Sequence, residues 1–139
     1  MRIMALDYGS KTVGVALTDE LGLTVYPLET ISRNAENKLR RTLARIADLV
    51  GEYQVTLIVL GRPMHMDGSD GERVAMCEVF KALLEKRVDI EIIWQDERLT
   101  TYEADEQLEV MQIKKEDRKK YIDQVAACII LKDYLSSKK

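Results

Sequence analysis

Three acidic residues that lie far apart in the sequence stand where carboxylates can do chemistry. Asp7 closes a short apolar run over residues 3–6, which is typical of a buried strand. Glu97 follows a later apolar run, and Asp123 opens the last amphipathic segment. Each acid therefore lies at a predicted element boundary, and all three boundaries can open on the same rim of a sheet.

Bringing these acids together needs a counter-ion. Two carboxylates about 4 Å apart repel by roughly 4 kcal/mol at an effective dielectric of 20. Magnesium or manganese removes that cost, and two such ions can activate a water and stabilise the leaving oxygen of a phosphodiester. The residues alone leave other interpretations open, because Asp123 can complement a helix dipole and Asp96 or Glu97 can pair with Arg98.

The elements that position these acids follow from hydrophobic patterning. Apolar runs predict five strands, and 3.6-residue spacing predicts four helices. The first two strands form a hairpin, and Pro27 in the third indicates an edge position or a bend. The predicted strands cover residues 3–6, 13–17, 23–31, 57–60 and 90–94, and the predicted helices cover 34–50, 72–86, 100–111 and 121–136, with Gly51 ending the first helix. We expect one α/β domain over residues 1–139, with a mixed sheet whose first three strands are antiparallel.

Composition narrows the class of protein. With 46% hydrophobic and 32% charged residues, the chain has the profile of a soluble globular protein. It has no apolar run near the roughly 18–20 residues that cross a bilayer, so we expect a cytoplasmic protein with no membrane partner. Cys77 and Cys128 fall on apolar helix faces and are expected to be reduced core residues, because no zinc-type ligand set surrounds them.

Two basic clusters interrupt a chain whose formal net charge is only −3. The simplest interpretation of the first is a solvated helix face; it contains Arg33, Lys38, Arg40, Arg41 and Arg45. The second precedes Asp123 and is equally compatible with contacts to phosphate; it contains Lys114, Lys115, Arg118, Lys119 and Lys120.

Four motifs, in this order, resemble the YqgF (RuvX) family. They are Asp7-x-Gly9 with Gly14-x-Ala16, Gly61-x-Pro63 with Asp67-Gly68, the segment DERLTT over residues 96–101, and Ile122-Asp123 with Ala126-Ala127. The resemblance covers essentially the whole chain, and DERLTT is its most specific part. It implies a ribonuclease H-like fold with a mixed five-stranded sheet flanked by helices, similar to the RuvC Holliday junction resolvase.

The resemblance also implies site residues. Asp7, Glu97 and Asp123 correspond to catalytic carboxylates that bind Mg2+ or Mn2+, while Asp96 remains an alternative to Glu97. Candidate phosphate contacts are Lys11, Arg62 and Arg98. Thr12 and Arg62 depart from the residues frequent in the family, which concerns phosphate contact and not the carboxylates.

The implied function is a metal-dependent endonuclease that matures the 5′ end of pre-16S rRNA in ribosome biogenesis. The expected partners are structured RNA or branched DNA, with ribosomal particles, in a monomer or weak homodimer. Holliday junction resolution on DNA is one alternative, and an RNA-binding assembly factor with little catalysis is another. A nucleotide-binding domain of the actin and sugar kinase type shares the Asp-x-Gly hairpin, but it needs a second domain to enclose ATP.

Overall fold

The computed structural model describes residues 1–63, 71–97 and 118–137, apart from the side chains of residues 63, 97 and 118–120. Five strands and three helices lie in these ranges. They are β1 (Arg2–Tyr8), β2 (Thr12–Thr18), β3 (Val25–Ser32), α1 (Arg40–Tyr53), β4 (Val55–Pro63), α2 (Gly71–Glu85), β5 (Glu91–Glu97) and α3 (Arg118–Ser137). The helix predicted over residues 100–111 lies outside the described residues, as do Arg98, Lys114 and Lys115.

The sheet has the strand order β3-β2-β1-β4-β5. β1 pairs antiparallel with β2, and β2 pairs antiparallel with β3. β4 lies parallel to both β1 and β5. The predicted mixed five-stranded sheet with three antiparallel leading strands is therefore confirmed. The carboxyl ends of β1, β3, β4 and β5 all meet at one edge, which we call the carboxyl edge.

The two faces of the sheet carry separate apolar clusters. Met4, Leu6 and Ile58 face α1 and α2 in the larger cluster, which includes Phe80. Ile3, Ala5, Ala16 and Val59 face α3 in a second cluster. Because side chains alternate along a strand, odd-numbered β1 residues point towards α3 and even-numbered ones towards α1 and α2.

Pro27 lies on an edge strand, as its missing N–H donor predicts. The β2–β3 register shifts beside it, since Val15 pairs with Glu29 whereas Ala16 pairs with Pro27. Leu28 is the extra residue of this bulge. The edge prediction is confirmed.

The first helix was predicted six residues too early. Residues 34–37 form bends and a turn instead, in which the Lys38 N–H donates to the Ala35 carbonyl at 3.1 Å. Gly51 does not end α1, which continues to Tyr53 and is capped by Gln54 in the left-handed conformation, with φ of 53°. The prediction that Gly51 terminates the helix was wrong, because a non-glycine residue supplies the left-handed cap.

The two cysteines are free and buried on opposite faces of the sheet. Cys77 belongs to the cluster under α1 and α2, and Cys128 to the cluster under α3. Their predicted place in the core is confirmed. No helix in the described part of the chain is both long enough and apolar enough to span a membrane.

Candidate active site

Asp7 lies in a row of residues that crosses the sheet near its carboxyl edge, on the face covered by α3. It is half-buried, and its cross-strand partner in β2 is Gly14. Gly14 in turn pairs with Thr30 of β3. Directly opposite residues in antiparallel strands have Cβ positions about 5 Å apart. The surface of Gly14 is therefore within reach of the Asp7 side chain.

Gly14 is also the point at which α3 touches the sheet. A Cβ atom added to Gly14 would overlap the backbone carbonyl of Asp123 and would lie 3.0 Å from the Asp123 Cβ. Only glycine leaves room for this contact, so the backbone of α3 packs directly on β2. The structure thus places both Asp7 and Asp123 next to the same glycine, Asp7 in the neighbouring strand and Asp123 on the helix that packs over it.

A hydrogen bond fixes the start of α3 over the sheet. The Gln124 side-chain amide donates to the Thr30 hydroxyl at 3.1 Å, and Thr30 is the β3 partner of Gly14. Seven consecutive α3 residues beyond it, 125–131, are buried. Asp123 is therefore carried on a helix whose next two turns are buried. The Gln124–Thr30 hydrogen bond is a second contact, besides Gly14, that holds the start of this helix on the sheet.

Asp96 and Glu97 are adjacent in β5, so the two positions belong to opposite faces of the sheet. Gln95 pairs with Gly61, and position 97 pairs with position 63. Ile93 packs in the cluster under α3, so alternation assigns positions 95 and 97 to the same face as Asp7. Asp96 is exposed and pairs with Arg62 on the other face.

The donor chemistry of this face suits a hard divalent cation. Asp7 and Asp123 are both half-buried and both offer carboxylate oxygens, and each lies beside Gly14. Within the described side chains, no group of three or more His, Cys, Asp or Glu is arranged to hold a metal ion. The third predicted ligand, Glu97, has its side chain outside that description.

The candidate phosphate contacts are divided between the two faces. Lys11 is exposed in the turn between β1 and β2, four residues after Asp7. Arg62 is exposed at the carboxyl edge, but its register parity places it on the face of α1 and α2, away from Asp7. Arg98 lies outside the described residues.

Behind Asp7, on the face of α1 and α2, a compact charged cluster surrounds Tyr8. The Tyr8 ring stacks on Phe80, with centroids 4.4 Å apart. The guanidinium groups of Arg33 and Arg73 lie 4.8 and 5.2 Å from the Tyr8 centroid, and Arg73 pairs with Glu36 at 2.8 Å. Burial raises the pKa of the Tyr8 hydroxyl, although both arginines act to lower it.

Arg33 ties the β3–α1 connection to the turn beside Asp7. Its Nη2 donates to the Gly9 carbonyl at 2.6 Å and its Nε to the Glu36 carbonyl at 3.2 Å. Sequence reasoning grouped Arg33 with solvated charges and did not single out Gly14 as the contact point of α3. The only available signals were the position of Gly14 opposite Asp7 in the hairpin and an arginine directly after an edge strand.

Comparisons with known proteins agree over nearly the full length of the chain. A family model described as RuvX, Holliday junction resolvase, matches residues 1–137. A Lachnospira eligens protein named "Putative pre-16S rRNA nuclease" is 55% identical over 138 residues, which is 99% of each chain. A Bacillus subtilis protein with the same name is 42% identical over 137 residues, again 99% of each.

Solved structures show the same architecture at low sequence identity. RuvC of T. thermophilus in complex with Holliday junction substrate covers 99% of this chain and 96% of its own, with a TM-score of 0.61 and 11% identity. The fowlpox virus Holliday junction resolvase covers both chains fully, with a TM-score of 0.54 and 16% identity. This likeness confirms the predicted ribonuclease H-like fold. By its match to the family model and to these relatives, the chain belongs to the RuvX family, and it is a nuclease, a hydrolase of phosphodiester bonds.

Proposed function

We propose that this protein is a metal-dependent endonuclease that cleaves pre-16S rRNA, with Asp7, Glu97 and Asp123 as its catalytic carboxylates. The observation that carries the proposal is the contact of α3 with Gly14, because it seats Asp123 beside the strand partner of Asp7. The choice of substrate is supported by the names of relatives that share 41–55% of their residues with the chain.

The chain's own residues account for the geometry of such a site. Asp7 sits on a central strand, and Asp123 sits on a helix clamped by the bond between Gln124 and Thr30, so both acids are held on rigid elements. Register parity favours Glu97 over Asp96 as the third acid, since position 97 shares the face of Asp7. A divalent cation such as Mg2+ or Mn2+, when bound by these acids, supplies the charge that activates water and stabilises the leaving oxygen.

Cleavage of a 5′ pre-16S rRNA fragment by single variants tests the assignment. Asp7→Asn and Asp123→Asn are expected to lower the rate at least about 100-fold, because changing even the groups that orient metal ligands costs 10–100-fold. Asp133→Asn is the matched control: Asp133 lies on the same helix, ten residues on, and is exposed. Circular dichroism checks that each variant is folded.

A second pair of variants tests the parity argument. Glu97→Gln is expected to abolish cleavage, whereas Asp96→Asn, one residue away on the other face, retains it. Equal loss in both would show that parity does not select the ligand. Cleavage that persists in excess chelator would overturn the metal-dependent mechanism. Wild-type processing by an Asp7/Glu97/Asp123 triple-alanine variant would favour a binding factor instead.

The match to a family described as Holliday junction resolvase favours a second substrate, a four-way DNA junction. The same wild-type and Asp7→Asn proteins can be assayed on a junction and on its linear duplex arms. Metal-dependent cleavage of the junction in preference to the rRNA fragment would assign DNA as the substrate and leave the roles of the carboxylates intact.

A further inference from the structure

A basic cavity lies at the carboxyl edge, in the connection between β3 and α1. Its volume is about 640 Å3, and no acidic residue is among the described residues that line it. Four of its lining side chains are cationic and two are amides: Arg33, Lys38, Arg40, Arg41, Asn34 and Asn37. A concave surface with this lining offers many hydrogen-bond donors and excess positive charge, which suits an anion.

The amino end of α1 adds to the positive potential of the cavity. The helix starts at Arg40 after Leu39, with no side-chain cap and no acidic residue in its first turn. Unpaired backbone N–H groups and the helix dipole make such an end positive. Arg40 and Arg41 add two like charges where a helix normally carries acids. This arrangement is unfavourable for an isolated helix and favourable for one that meets a phosphate.

Ion pairing distinguishes the cavity from an ordinary solvated face. Arg45, in the second turn of α1, forms a bidentate ion pair with Glu29 at 2.7 and 2.9 Å. Lys38, Arg40 and Arg41 form no ion pair with any described residue. The nearby carboxylate of Glu36 is already shared between Arg73 at 2.8 Å and Arg33 at 4.0 Å. Among the described residues, Lys38, Arg40 and Arg41 therefore have no compensating carboxylate.

Arg33 forms a fixed wall of the cavity. Its side chain is only 4% exposed, it stacks on Tyr8, and it donates to the Gly9 carbonyl. Its Nη1 is buried and has no hydrogen-bond partner among the described residues. Since the buried guanidinium is held on two sides, the cavity keeps a constant position relative to the turn that follows Asp7.

Backbone contacts join the cavity to the turn that follows Asp7. The Arg33 N–H donates to the Lys11 carbonyl at 2.8 Å, and Ser32 pairs with Thr12. β3 lies two strands from β1, which is about 10 Å at the usual strand spacing. The cavity and Asp7 are therefore neighbours along the carboxyl edge.

We propose that the cavity binds the sugar-phosphate backbone of the nucleic acid substrate, next to the segment that is cleaved beside Asp7. This inference rests on the proposed nuclease site. It names Arg40 and Arg41, with Lys38, as the residues that contact phosphate, and Arg33 as the residue that positions the cavity wall.

The test compares two variants that remove equal charge. R40Q/R41Q removes two exposed cations from the cavity, and K86Q/R87Q removes two exposed cations just beyond the end of α2, remote from the carboxyl edge. The probe is a fluorescein-labelled RNA hairpin with single-stranded flanks, titrated in excess chelator over a range of NaCl concentrations. Circular dichroism confirms that both proteins are folded.

R40Q/R41Q is expected to reduce the slope of log K against log salt by about 1.5 and to raise Kd several-fold at 0.1 M salt. K86Q/R87Q should leave the slope within error of the wild-type value. Equal weakening by the two pairs, or none by R40Q/R41Q, would overturn the cavity proposal. Because the titration is done without cleavage, its outcome is independent of whether Asp7→Asn abolishes the nuclease activity.

Discussion

Asp7 and Tyr8 are adjacent in β1, yet they open on two different environments at the carboxyl edge. On the side of Asp7, Gly14 has no side chain, and the backbone of α3 packs directly on the sheet at this residue. On the side of Tyr8, the sheet is covered by an aromatic stack and two arginine side chains. The Asp7 face therefore carries acidic residues under a closely packed helix, whereas the Tyr8 face carries arginines stacked on an aromatic ring.

This difference separates charges that would otherwise neutralise each other. An arginine about 4 Å from Asp7 would gain roughly 4 kcal/mol of attraction at an effective dielectric of 20, and it would compete with any metal ion. Strand alternation instead places Arg33 and Arg73 on the other face of the strand, where Glu36 and backbone carbonyls accept hydrogen bonds from them. The proposed metal ligands and the proposed phosphate contacts are thereby kept on different faces of β1.

The acidic face is expected to be the more sensitive of the two to added volume. Gly14→Ala places a Cβ against the Asp123 carbonyl, so α3 must move away from the sheet. We expect a loss of about 3 kcal/mol in the free energy of unfolding, the upper part of the usual range for overpacking. Urea denaturation measures the loss, and the cleavage assay should show that activity falls with it.

Gly51→Ala is the matched control for that substitution. Gly51 lies in α1 with nothing within 4 Å of an added Cβ, so alanine should stabilise the helix by up to about 1 kcal/mol. If Gly14→Ala were as stable and active as wild type, the direct contact of α3 with β2 would not be what positions Asp123.

The architecture could be predicted because each strand is marked by local pattern. Apolar runs placed all five strands, and Pro27 identified an edge. Strand ends were less predictable: Asp96 and Glu97 lie inside β5, because pairing with β4 continues to position 63 beyond the apolar run. That continuation is a property of the neighbouring strand and leaves no trace in the local sequence.

The supports of the candidate site could not be predicted from the sequence. Asp7 and Asp123 were proposed from motifs and element boundaries, whereas the contact of α3 with the sheet depends on Gly14, 109 residues before Asp123. The start of α1 was misplaced for a similar reason. Arg33 holds the Glu36 carbonyl, and Arg73, from a distant helix, holds its carboxylate, so residues 34–37 turn instead of continuing a helix.

On the Tyr8 face, substitution of Arg33 is expected to destabilise the fold more than substitution of a solvent-exposed arginine does. Arg33→Ala removes hydrogen bonds to the Gly9 and Glu36 carbonyls together with the stack on Tyr8. Hydrogen bonds to charged groups contribute about 1.5–3 kcal/mol, so we expect a loss of about 2 kcal/mol in unfolding free energy. Thermal and urea unfolding measure it.

Arg45→Ala is the contrast for that variant. Its pair with Glu29 is 44% exposed on the arginine side, so the expected loss is about 0.5 kcal/mol or less. Arg33→Lys should recover only part of the stability, because an ammonium cannot reproduce the planar stack and the fork of donors. Similar losses in Arg33→Ala and Arg45→Ala would mean that Arg33 is a surface charge.

The smallest expected effect is a pH dependence of the free energy of unfolding that distinguishes the two faces of the sheet. Burial raises the pKa of the Cys128 thiol, on the α3 face, to about 11, against a small opposing effect of Lys132. The thiol stays protonated in the folded chain while the unfolded chain ionises near 8.5, so this stability is complete below about pH 8.5 and is lost as pH rises towards 11. The loss is at most about 1.4 kcal/mol per pH unit.

Tyr8, on the other face, also has a raised pKa, but its unfolded counterpart ionises only near 10. Urea denaturation between pH 8.5 and 10 should therefore show a decline that Cys128→Ala flattens; an unchanged slope in that variant would assign the decline to another group.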